Sequence, residues 1–273
     1  VRTFRLLTHV VEVRTVGLDV GDNLRFLGGT AGQEAVPELV RTRYELRSVA
    51  GHDGTIELTE DEGRVGRARG LGAALMLLDN RLRRRVLELA ARSGWVPLRA
   101  GLAVAAGRLI LVLGEVGRAE LLAHALALGA KVTAGDVVLL RAGIALGYPI
   151  PLRVPAANAS SLPDSRNLGR WRTPNGELVV REISASIPPA RVGAVVWLAH
   201  PVEGAVDPRP ASTSEVLRAV LDARIDTRVR AARADVAEAS ALVRGVESAL
   251  LLPVAHPSVG ASLLVALGAR VPR

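Results

Sequence analysis

The sequence predicts an α/β fold, a mixed sheet flanked by helices, with a small β-rich subdomain at its N-terminal end. Three observations carry this. Within 1–69, short runs alternate apolar and polar side chains, the period of strands. From Leu71 to about Arg92 the apolar residues recur at three and four, the period of one buried helical face. Further on, the apolar run RLILVL leads into a glycine-bearing loop, a helical stretch and another strand pair. That order is the signature of a phosphate-binding α/β unit. The expected division is 1–69 for the β-rich subdomain and 70–273 for the core.

The elements follow in order. A strand is expected over 4–14, a turn at Gly21-Asp22-Asn23, and strands over 44–49 and 55–59 joined at His52-Asp53-Gly54. Arg64, Arg67 and Arg69 read as a solvated flank before the helix, in which Leu75, Leu78, Leu82, Val86 and Leu89 form the stripe and which Gly94 ends. Strands are expected over 98–104 and 108–113, then a loop at Gly114-Glu115-Val116-Gly117. A helix over 118–128, stopped by Gly129, and a strand pair over 131–140 follow. Residues 155–191 are polar, and only 177–183 look like a strand. A buried strand is expected over 193–198. Ser212-Thr213-Ser214-Glu215 is a capping box opening a helix over 215–222. A long helix over 227–251, ended by Pro253, and a short one over 261–267 complete the chain. Ala, Val and Leu positions of the long helix offer a contact for a homodimer.

With 273 residues the chain is long enough to bury a proper core. Aromatics are only 3%, so that core is built from Leu, Val, Ala and Ile, with Trp95, Trp171 and Trp197 as rare large pieces. No apolar run reaches the roughly 20 residues needed to span a bilayer, and the first residues alternate like a strand rather than a signal peptide. The expectation is a cytoplasmic protein with no membrane partner. Without cysteine there is no disulfide and no thiolate chemistry. The net charge of +8 raises nucleic acid as a partner. Against it, every basic residue but Lys131 is Arg, which fits the coding bias of a GC-rich genome, and there are few aromatics to stack on bases. Nucleic acid is therefore not expected.

The stretch LRAGLAVAAGRLILVLGEVGRAELLAHAL…GAKVTAGDVVLL, followed by GIALGYPIPLR and later by 192–200 and 210–221, resembles HPr kinase/phosphorylase and the smaller HPr-kinase-like proteins. The resemblance covers roughly 45–270 and rests on order and hydrophobic pattern. It implies a core of the phosphoenolpyruvate-carboxykinase type. It also implies a family that acts on small peptides in pathways to ribosomal peptide natural products (RiPPs).

The chemistry departs from that pattern. A working phosphate loop reads G-x-x-x-x-G-K-[ST]: backbone N–H groups cradle phosphate, Lys neutralises it, and the hydroxyl holds Mg²⁺. The matching residues here are Gly114, Glu115, Val116, Gly117, Arg118, Ala119, Glu120 and Leu121, without Lys, Ser or Thr. Lys131, the only lysine, lies beyond the next helix. Arg118 is the remaining cation, and Arg and Lys are not interchangeable at a compact phosphate site. The family's paired acidic residues become Gly135-Asp136, and the His of its Leu-His-Ala strand becomes Arg99.

The expected reading is a degenerate phosphate loop at Gly114, Glu115, Gly117 and Arg118, with no cofactor. The protein would be a non-catalytic pseudokinase that binds a peptide or protein, by resemblance a RiPP precursor. The competing reading is a divergent kinase or hydrolase using Arg118 and Asp136; a third is a structural partner of an active relative. Asp136 reads either as a surviving acid or as a polar residue paired with Arg. Arg166, Arg170, Trp171 and Arg172 read either as a peptide-binding patch, being residue types common in hot spots, or as a loop whose Trp tucks into the core. None of His9, His52, His124, His200 and His256 has another His at ligand spacing, so no metal site is expected. Ser160, Ser161 and Ser165 have no triad partners near in sequence.

Overall fold

In the computed structural model the described residues are 1–6, 9–20, 24, 30–31, 40–51, 53–148, 150–159, 167–173, 176–181, 183, 188–199, 208–227, 232–253 and 257–269. The first sheet takes the alternating N-terminal runs. It comprises β1 (Arg2–Leu6), β2 (His9–Val16), β3 (Thr30–Ala31), β4 (Val40–Ser48), β5 (Thr55–Glu60) and β6 (Gly63–Arg69), in the order β3-β1-β2-β4-β5-β6. The expected single strand over 4–14 is thus two strands, paired antiparallel. The period-2 pattern puts Val11, Val13, Tyr44, Leu46, Ile56 and Leu58 on one face. The other face carries Glu12, Arg14, Arg43, Glu45, Arg47, Glu57 and Arg67, joined in ion pairs such as Arg43–Glu12 (3.1 Å) and Arg67–Glu57 (3.1 Å). The arginines expected to form a flank before the helix belong to β6, because their alternation with Val65 and Ala68 suits a strand.

Helix α1 (Leu71–Arg92) lays Leu75, Leu78, Leu82, Val86 and Leu87 onto the apolar face of this sheet, in one cluster with Tyr148, Ile150, Trp171 and Val180. Asp79 sits in the same buried stripe.

The central sheet uses β7 (Val96–Ala105), β8 (Arg108–Leu113), β9 (Lys131–Ala134), β10 (Val137–Arg141), β11 (Ile144–Gly147), β15 (Ala190–Arg191), β16 (Ala194–Ala199), β17 (Arg209–Pro210) and β18 (Ser248–Pro253). The order is β15-β11-β10-β7-β8-β16-β18-β17, with β9 also on β7. It is mixed: β16 runs parallel to β8 and β18, while β7 is antiparallel to β8 and β10. Ile110 and Val112 of β8 face α2 (Arg118–Ala127) and α5 (Pro257–Ala269). Leu109, Leu111 and Leu113 face α3 (Thr213–Asp222) and α4 (Ala232–Gly245). Burial on both faces explains the unbroken apolar run. The capping box at Ser212 and Glu215 forms.

Two expectations are corrected. The helix expected over 227–251 ends at Gly245, and its last residues become β18, which pairs with β16 from Ala194↔Ser248 to Ala199↔Pro253. An apolar run of this length fits a helix or a strand by pattern alone; the open flank of β16 decides for strand. Of the Ala, Val and Leu positions of this helix, Ala239 and Leu242 are buried in the chain's own core and Val236 is exposed. Where one strand was expected over 177–183, a three-stranded sheet forms from β12 (Leu152–Pro155), β14 (Gly176–Arg181) and β13 (Asn167–Thr173), in that order. Among the described residues no helix is long and apolar enough to cross a membrane. The turn at 21–23 and residues His52, Ser160, Ser161, Ser165, Arg166, His200 and His256 lie outside the described residues.

Candidate functional site

The loop between β8 and α2 forms as a strand-to-helix turn. Gly114 (φ 98°) and Gly117 (φ 75°) both take left-handed conformations that favour glycine. Gly114 is also held by space, since a Cβ there would sit 2.6 Å from the Leu198 carbonyl oxygen. Gly117 is the N-cap of α2 and offers no side chain to the helix.

Arg118 begins α2 and turns back across the loop. Its Nε donates to the Gly135 carbonyl (3.1 Å), and Nη1 donates to the carbonyls of Arg99 (3.1 Å) and Gly114 (2.5 Å). Nη2 donates to Asp136 Oδ1 (3.1 Å). The residue is 6% exposed. Burial draws its pKa below the ordinary arginine value, and the charges of Asp136 and Glu115 oppose that shift.

Asp136 lies in the turn between β9 and β10, and its second oxygen accepts from Arg83 Nη1. Arg83, on α1, also reaches Asp79 (3.4 Å). Asp79 in turn receives Arg153 of β12 through two bonds, Nη1 to Oδ2 (2.6 Å) and Nη2 to Oδ1 (3.0 Å). Burial alone would raise the Asp79 pKa, but the guanidiniums of Arg153 and Arg83 hold it below the ordinary carboxylate value. Arg153 stacks 4.7 Å over Trp171. Alternating charges thus run Arg118–Asp136–Arg83–Asp79–Arg153 and tie the turn between β8 and α2 to α1, β12 and β13.

Arg118, Asp136, Arg83 and Arg153 line a cleft of about 620 Å³, together with Arg99, Glu115 and the apolar Ile150 and Leu152, while Asp79 is buried behind them. Arg99 and Glu115 pair across its mouth at 2.9 Å, both largely exposed. Glu120, on the first turn of α2, accepts from Asn158 Nδ2 (2.9 Å). The two glutamates at the helix N-terminus therefore each have a partner.

The structure thus brings Glu115, Gly117, Arg118 and Asp136 to one cleft, with Gly114 behind them, its carbonyl bonded to Arg118. The other predicted patch lies elsewhere. Trp171 is 4% exposed and packs in the core with α1, on a strand rather than in a loop. Arg170 and Arg172 are exposed on β13 and lean on Glu177, at 2.7 and 3.7 Å. Sequence reasoning missed Asp79, Arg83 and Arg153. A signal was present for Asp79, an acid four residues after Leu75 within an apolar stripe. Arg83 and Arg153 gave none, because both reach the cleft from elements distant in sequence. Among the described residues no group of three His, Asp or Glu gathers as a metal cluster.

No protein-family model matches the sequence, and no curated protein matches it. Among solved structures the chain is similar to the Hpr(Ser) kinase/phosphatase from Coxiella burnetii. The identity is 18% and the TM-score 0.31, over 63% of this chain and 87% of that one. This is a weak likeness of fold.

Proposed function

We propose that the chain is a non-catalytic binding protein for a peptide or protein. In this reading it is a pseudokinase that keeps the turn of a phosphate loop without its chemistry. One observation carries the reading. Arg118, the only cation in the loop-to-helix turn, is buried and directs its donors to three backbone carbonyls and Asp136. A guanidinium so engaged is not free to meet a phosphate, and the loop has no lysine or hydroxyl in reserve. The resemblance to HPr-kinase-like proteins makes a precursor peptide of a RiPP pathway the first ligand to try.

Calorimetry tests this directly. The expected result is heat on titrating the peptide encoded beside this gene, and none with ATP and Mg²⁺. Nucleotide binding that is lost in Arg118→Ala and Asp136→Asn would instead favour a divergent kinase. Absence of heat with any pathway peptide would sink the binding role.

A further inference from the structure

We infer that the free edge of β6 is a docking strand for an acidic, extended segment of a partner protein or peptide. The inference rests on the binding role proposed above and gives it a place and a chemistry.

The outer face of the first sheet is a charge ladder in which each strand answers the last. One row runs Val16, Arg47, Glu57 and Arg67 across β2, β4, β5 and β6. The next runs Arg14, Glu45, Thr59 and Arg64, and a third pairs Thr55 with Arg69. Inside the sheet these charges meet. Glu45 receives Arg14 (3.6 Å) and Arg47 (2.7 Å), and Glu57 receives Arg67 (3.1 Å). At β6 all three rows end on arginine.

Arg64 and Arg69 are exposed, and neither side chain has a hydrogen bond or ion pair among the described residues. On the opposite face of β6, Val65 packs in the core with α1, and a Cβ on Gly66 would touch Leu77 at 3.2 Å. The inner face thus holds the strand against α1, and a bulge at Val65, opposite the step from Leu58 to Thr59, brings Arg64 onto the same outer face as Arg67 and Arg69. Among the described residues, no strand pairs with it on the side away from β5.

An unpaired strand edge offers backbone donors and acceptors to an incoming strand, and its side chains choose the partner. Here the choice is acidic. Glu or Asp at alternate positions of the new strand would stand beside Arg64, Arg67 and Arg69 and continue the alternation by one more row. The edge has 7 residues, long enough for a short peptide to pair along it.

The test uses the full chain and a fluorescein-labelled peptide of about nine alternating Glu and Val residues, enough to span the strand with a residue to spare at each end. Its counterpart has Lys for Glu. Fluorescence anisotropy reads affinity, and hydrogen exchange reads which amides the peptide protects. The acidic peptide is expected to bind and to protect amides of 63–69. The double variant Arg64→Glu with Arg69→Glu should weaken it at least about tenfold and take up the Lys peptide instead. Both side chains are exposed and unpaired, so the variant keeps the fold.

Affinity for the acidic peptide within about twofold of the parent in that variant would overturn the assignment. Protection confined to the cleft at 114–118 and 150–153 would overturn it too, while leaving the peptide-binding role standing. No binding of the acidic peptide would mean that the arginines only blunt the edge against self-association. The binding role would then be judged by its own calorimetry with the precursor peptide.

Discussion

Replacing Arg118 by Met separates a structural arginine from one held ready for phosphate. The substitution keeps a long chain and removes every donor. Four acceptors lose a partner: the carbonyls of Gly114, Arg99 and Gly135, and one oxygen of Asp136. Asp136 keeps Arg83 and opens on the cleft, so water can serve its freed oxygen. The carbonyls matter more, because a buried acceptor without a donor costs about 1–3 kcal/mol. Relief of the guanidinium's own desolvation offsets part of this. The net expectation is a loss of about 3 kcal/mol. Urea denaturation with an unchanged m-value should show it as a lower midpoint. Arg118→Lys keeps the charge but not the fork, and should recover only part. If Arg118→Met leaves the midpoint where it was, the arginine is not holding the loop, and the case against phosphate binding there falls with it.

Three further outcomes follow from the same structure. His9 is buried with Nε2 on Thr42 Oγ1 (2.8 Å), and burial, then Arg85, lowers its pKa from 6.5 to about 4. The unfolded chain therefore takes up a proton that the folded one refuses, so stability is complete above pH 6.5 and falls toward pH 4 by about 3 kcal/mol; denaturation midpoints across that range should lose most of this slope in His9→Gln, and an unchanged slope would exclude His9 as its source. Gly114→Ala meets both a left-handed φ and the Leu198 carbonyl, and should cost more than about 2 kcal/mol in thermal or urea unfolding. Trp171→Ala empties a core position under Arg153 and should cost about 3–5 kcal/mol; a stability loss below about 1 kcal/mol would mean that the ring is not part of the core.

Local pattern was enough wherever the chain's neighbours in sequence are also its neighbours in space. The three-and-four spacing of Leu75, Leu78, Leu82 and Val86 marks α1 almost to the residue, and Ser212 with Glu215 marks the start of α3. The apolar run 108–113 is the centre of the sheet, and the glycines at 114 and 117 make the turn that follows. The missing lysine, the lone Lys131 and the presence of Arg118 are likewise matters of sequence alone.

Tertiary structure decided what depends on partners far along the chain. The segment 248–253 is apolar enough for helix or strand, and it became a strand because β16 had a flank to fill. β13 was not recognised in a polar, arginine-rich stretch, since its pairing with β14 and its packing under α1 outweigh its composition. The cleft is the clearest case. Arg118 and Asp136 were candidates by position, but whether Arg118 is free or engaged depends on three carbonyls, of β7 and of the turns at Gly114 and Gly135, and on Arg83, Asp79 and Arg153 of α1 and β12. Hydrogen bonds of that reach have no period in the sequence, and only the folded chain sets their geometry.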